Sequence, residues 1–211
     1  MYAPMEPTRG KWKPGFPSRM VPLAVLAALL IAGTLPGRQW QVNLKAANQV
    51  RFVSVADLVI KRFTFRGLTD QVDGYLNWPE DSTGGQFYFE VDLTSFRTGI
   101  EKRDQDMRRW VLETDRWPIS WFRGRFTLHP PATPSDDSLA VRAAGTLFLH
   151  GVERPLQVEG SVQRRADTLE VQAHFPVALR EFNIKVPTLL AAKVADTVQV
   201  QVHLYLEPMG K

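Results

Sequence analysis

The chain reads as an all-β protein, an antiparallel sheet of eight strands closed into a barrel, and three observations carry that reading. Apolar residues recur at a period of two in a succession of short stretches beyond residue 40. Clusters of Pro, Gly, Ser and Asp separate those stretches. One stretch alone, near residues 98–118, has helical spacing. A strand sends alternate side chains to opposite faces, so a period of two marks one face in an apolar interior and the other in water. Short strands at regular spacing with few helices close into a barrel or pack as a sandwich.

The N-terminus stands apart from that pattern. Residues 1–19 mix Pro, Gly and basic side chains, and Met20–Leu35 follows as sixteen residues without a charge. A basic flank before an apolar run is the pattern of a secretory signal. At about 1.5 Å per residue the run is shorter than the ~30 Å hydrocarbon core, so it also reads as a slightly short membrane anchor through residues 20–36. No clean A-x-A cleavage triplet chooses between the two. The expected division is therefore a tail with signal or anchor helix over 1–37 and a β-barrel domain over 38–211, exported to the periplasm or secreted.

Within the barrel domain the clearest alternations are Phe87, Phe89, Val91 and Leu93; Leu169, Val171, Ala173 and Phe175; and Val198, Val200, Val202, Leu204 and Leu206. Weaker ones run at 49–56, 69–78, 119–128, 139–149 and 155–163. Turn clusters lie at 81–85, 130–137 and 150–155. Thr98-Gly99-Ile100-Glu101 has the spacing of a capping box, and Ile100, Met107, Trp110 and Val111 follow at roughly helical spacing. One or two short helices closing an end of the barrel are expected there. The irregular stretch 182–190 is expected as a loop over the same opening.

Composition narrows the chemistry. There are no cysteines, which excludes a disulfide scaffold, a thiolate metal site and a cysteine nucleophile. Arg9, Lys11, Lys13 and Arg19 against Glu6 give residues 1–37 a charge of +3, which leaves about +1 of the total +4 for the barrel domain. A nucleic-acid binder would show a basic body, and no nucleic-acid partner is expected. The Arg- and Trp-rich stretch 97–125 contains five acidic residues and reads as aromatic anchors under a charged surface. His129, His150, His174 and His203 match no metal-ligand spacing, and no GxSxG, Walker or GxGxxG motif follows a strand. Arg103-Asp104 reads as an ion pair tying the helical insertion to a strand. No catalytic residue, metal or cofactor is nominated.

The segments DLTSFRTGIEKRDQDMRRWVLETDRWPISWF, GTLFLHGVERPLQVEG and VALREFNIKVPTLLAAKVADTVQVQV occur in that order. Thr98 with Arg103-Asp104, the aromatic run Trp117–Phe122 and the Leu-His-Gly-Val-x-Arg-Pro hairpin at 149–155 are the most specific pieces. Together they resemble the YceI-type lipocalin-like family over about residues 40–207. The chain departs from that family at Gln105-Asp106, where a histidine is common. The resemblance implies an eight-stranded barrel whose apolar tunnel holds a polyisoprenoid or isoprenoid-quinone-like lipid. No covalent catalysis is expected, and the basic side chains of 97–125 offer contact with the anionic head groups of a membrane surface. The alternation places Phe87, Phe89, Val91, Phe122, Phe126, Leu147, Val171, Ala173, Phe175, Val200 and Leu204 on the inward phase, where a bound chain would touch them. Two other readings stay open: a barrel plugged by its own side chains that acts through a protein partner, and an enzyme acting on an isoprenoid. The oligomeric state is not legible.

Overall fold

The computed structural model describes residues 37–57, 62–79, 82–129, 138–185 and 193–210. The expected signal or anchor run, the turn cluster at 130–137 and most of the loop expected at 182–190 lie outside the described residues.

The strands are β1 (Gly37–Val42), β2 (Gln49–Asp57), β3 (Arg62–Thr69), β4 (Val72–Pro79), β5 (Gly84–Asp92), β6 (Ile119–His129), β7 (Ser138–Leu149), β8 (Val152–Arg165), β9 (Thr168–Ala178), β10 (Lys193–Val194) and β11 (Thr197–Pro208). Antiparallel pairing runs β1–β4–β5–β6–β7–β8–β9–β11 and returns from β11 to β1, so eight strands form a closed barrel. Closure pairs every strand of the circuit on both sides, so none of these eight presents an open edge.

Which strands close it differs from the expectation in one place. β1 enters the circuit although its sequence, GRQWQV, holds only Trp40 and Val42 on its inner phase, too few for alternation to show. β2 lies on the same side of β11, farther along. Trp40–Val42 face Pro208–Leu206, whereas Gln49–His203 is the start of a ladder that reaches Val53–Gln199. β3, also absent from the sequence reading, pairs with β2, and Leu68 bridges to Arg97. The barrel thus has a base, built on β1, and a rim, built on β2, β3 and the helical insertion.

The base is tightly filled. Trp40, Leu169 and Leu206 are at most 2% exposed. A second apolar cluster of Leu147, Val177, Leu179, Phe182, Ile184 and Val198 sits at the rim. Between β6 and β7, Gly124 and Gly145 stand opposite each other, and a Cβ on either would lie about 2 Å from a carbonyl oxygen across the pair. Only glycine permits that close approach. The β7–β8 turn is the two-residue His150-Gly151, both at positive φ, as a type I′ hairpin requires.

The insertion holds one helix, α1 (Glu101–Asp106), continued by a wider π-type turn over Met107–Val111. The expected capping box does not form. The residue flanking the helix is Ile100, so Thr98 falls two positions too early, and no side chain caps the helix start. Met107 and Val111 are half-buried, but Ile100 and Trp110 are exposed.

Candidate ligand cavity

The alternation of the strands makes the site. On β5, β6, β7, β9 and β11 the apolar phase turns inward, and in a closed barrel those phases meet on one axis. They do not fill it. A cavity of about 840 Å³ runs along the interior, near the upper end of the range for small-molecule sites. All eleven residues assigned to the inward phase line this one cavity. Phe87 packs against Phe89 and Phe122 with ring centroids at 5.9 and 4.8 Å. On β7 the lining runs from Val141 to Leu149, roughly 26 Å along the strand at ~3.3 Å per residue.

Gly145 shares the phase of Leu147 but is not part of the wall. Its backbone is pressed against Arg123 of the neighbouring strand, so a side chain there would meet main chain before it reached the cavity. Ala173 does line the cavity and is its smallest inward position on β9.

The rim contributes lining residues that sequence reasoning missed. Phe52 and Ser54 on β2, Phe63 and Phe65 on β3, and Trp110 after α1 all face the cavity. Phe63 and Trp110 are also solvent-exposed, at 42% and 59%, and so mark where the cavity reaches water. The signal was present in RFTFRG, where Phe63, Phe65 and Gly67 alternate with polar residues. Gly67 is needed because a Cβ there would sit 2.1 Å from the Phe52 ring.

Polar groups reach the cavity chiefly at this rim. Thr98, Arg103 and Asp106 line it beneath the helix. The Thr98 amide donates to Asp104 Oδ1 at 2.8 Å, and its hydroxyl donates to the same oxygen. Arg103 donates from Nε to Thr98 Oγ1 and from Nη2 to the Thr98 carbonyl, each at 2.7 Å. Asp104 is 4% exposed. The Arg103-Asp104 pair therefore ties α1 to the segment before it, through Thr98 and not through a direct ion pair. Ser54 is different: its hydroxyl is buried and has no hydrogen-bond partner among the described residues.

The outer wall is polar. His203 Nε2 stands 2.8 Å from Glu170 Oε1 there. Hydrogen bonds from Gln172 and His203 hold the Glu170 carboxyl below its ordinary range. Burial, followed by its hydrogen bond to Glu90, pushes the Tyr88 phenol well above its usual value. His174 and His129 are exposed, and His150 Nδ1 lies 3.1 Å from the Phe182 carbonyl at the rim. No cluster of three or more His, Asp or Glu able to hold a metal ion occurs among the described residues.

With this geometry established, comparison with known proteins is specific. The YceI-like domain model matches residues 40–206. BcnA of Burkholderia cenocepacia superposes with a TM-score of 0.63 at 19% identity, covering 78% of this chain and 98% of that one. A polyisoprenoid-binding domain from Saccharophagus degradans, implicated in plant cell wall breakdown, gives 0.61 at 20% identity, with 80% and 98% covered. At these identities the likeness establishes the fold. Among curated proteins none matches the sequence significantly.

Proposed function

The chain belongs to the YceI-like family, and from that premise we propose that it is an exported protein that holds a polyisoprenoid or similar long-chain lipid in its barrel, without changing it covalently. The observation that carries this reading is the cavity itself, about 840 Å³ and walled almost wholly by aliphatic and aromatic side chains. Its occupant is apolar and elongated. Burying one CH₂ contributes about 0.8 kcal/mol, so each five-carbon unit contributes at most about 3–4 kcal/mol. Three or four enclosed units outweigh the usual cost of association and leave micromolar or tighter binding. No bond-making group is needed for that task.

The name carried by the Saccharophagus domain, polyisoprenoid-binding, supports the same class of ligand. The exposed Phe63 and Trp110 at the cavity mouth support contact with a membrane surface from which the lipid is collected. The basic flank and apolar run at the N-terminus support export.

The test is mass spectrometry of lipid extracted from the purified full-length protein. A long-chain prenyl species near one per chain is the expected result. An empty barrel would favour a partner-binding module, and a chemically altered prenyl product would favour an enzyme.

A further inference from the structure

Along β2 the inward residues are Val50, Phe52 and Ser54, two apolar side chains and then a hydroxyl. Ser54 is 2% exposed, lines the cavity and has no hydrogen-bond partner among the described residues. Phe65 is its cross-strand neighbour and Phe52 stands two residues before it on the same face. The Phe52 ring contacts those of Phe65 and Phe96, at 6.4 and 5.5 Å. A hydroxyl withdrawn from water on a strand face it shares with Phe52 and Phe65 is destabilising while it lacks a partner. A ligand oxygen placed beside it would remove that penalty.

Resting on the reading of the barrel as a lipid carrier, we propose that the Ser54 hydroxyl donates to an uncharged oxygen at the polar end of the bound chain. The ligand then lies with its oxygen-bearing end at the rim and its hydrocarbon running toward Leu76, Phe126 and Val162 at the base. The surroundings favour a neutral oxygen, as in an alcohol or a carbonyl, over a phosphate. Among the described residues that line the cavity Arg103 is the cation, but its Nε and Nη2 are engaged by Thr98, and Asp104 and Asp106 share its helix. A phosphate would shed its water against aromatic rings with little positive charge to compensate.

The experiment compares three C20 probes, geranylgeraniol, its matched hydrocarbon and geranylgeranyl phosphate, on lipid-depleted full-length protein. Ser54→Ala is expected to weaken the alcohol about 3- to 10-fold, the size of one net hydrogen bond, and to leave the hydrocarbon unchanged. Empty Ser54→Ala should melt at or above the wild-type temperature, and Ser54→Thr, which keeps the hydroxyl, should keep the preference for the alcohol. Equal loss for alcohol and hydrocarbon, or no loss for either, overturns the proposal while leaving the lipid reading intact. Tighter binding of the phosphate, lost in Arg103→Gln, overturns it in favour of a charged head group. If wild-type protein binds none of the three, the lipid reading falls and this proposal falls with it.

Discussion

Ala173 is the smallest side chain on the inner face of β9, between Val171 and Phe175 on that face and opposite Val202 and Gly160. A phenyl ring there projects into the cavity and occupies the path of a chain. Ala173→Phe is therefore expected to keep a cooperative melt and the wild-type circular dichroism, yet to copurify with several-fold less lipid. Unchanged lipid in the folded variant would place the ligand outside the barrel. On the outer face, Glu170 titrates as a depressed carboxylate, so its contribution to stability is complete above its ordinary value of 4.5 and is lost as the pH falls through the lower folded value. Wild type and Glu170→Gln should then be equally stable at the acid end, with wild type ahead by a few tenths of a kcal/mol at pH 6, a small gap because the group is solvent-screened. Chemical denaturation at several pH values checks this, and a gap that widens toward acid would contradict it.

The helical insertion behaves as one hydrogen-bonded unit. Thr98 donates twice to the buried Asp104 and accepts from Arg103, so removing any member strands the others. Thr98→Ala and Asp104→Asn are each expected to destabilise by about 1–3 kcal/mol, and the double variant by clearly less than their sum. Additive losses would mean the residues act independently. The strand pair β6–β7 depends in a different way on Gly124 and Gly145, whose Cα atoms approach where a side chain would meet main chain. Gly145→Leu should cost about 1–3 kcal/mol or more through overpacking, without selective loss of lipid. A stable Gly145→Leu protein that has lost its lipid would instead place that position in the tunnel.

At the level of the whole molecule, a ligand that binds only the closed barrel stabilises it by mass action, and a prenyl alcohol at 100 times its Kd should add about 2.7 kcal/mol. A titrated shift in Tm, absent in Ala173→Phe, is the expected signature. A reporter joined after residue 60 should leave the cytoplasm, and a cytoplasmic reporter would end the export proposal. The period of two in Phe87–Leu93 and Val198–Leu206 was legible because it is local: which side of a strand is apolar depends on near neighbours alone. The sequence by itself therefore determined the β class and the inward phase of eleven cavity residues. It could not reveal β1, whose few apolar residues carry weight only through ladders with β4 and β11, pairings distant in the chain, whereas the alternation of Phe63 and Phe65 in β3 is local and its partner β2 lies next to it in sequence. Nor could it show that Thr98 serves Asp104 and not the helix start, because that choice turned on a two-residue difference in where α1 begins. The hollow interior, the rim opening at Phe63 and Trp110 and the unpartnered Ser54 were decided by tertiary structure. Empty volume and an unmet hydrogen bond exist only once strands far apart in sequence have closed around them.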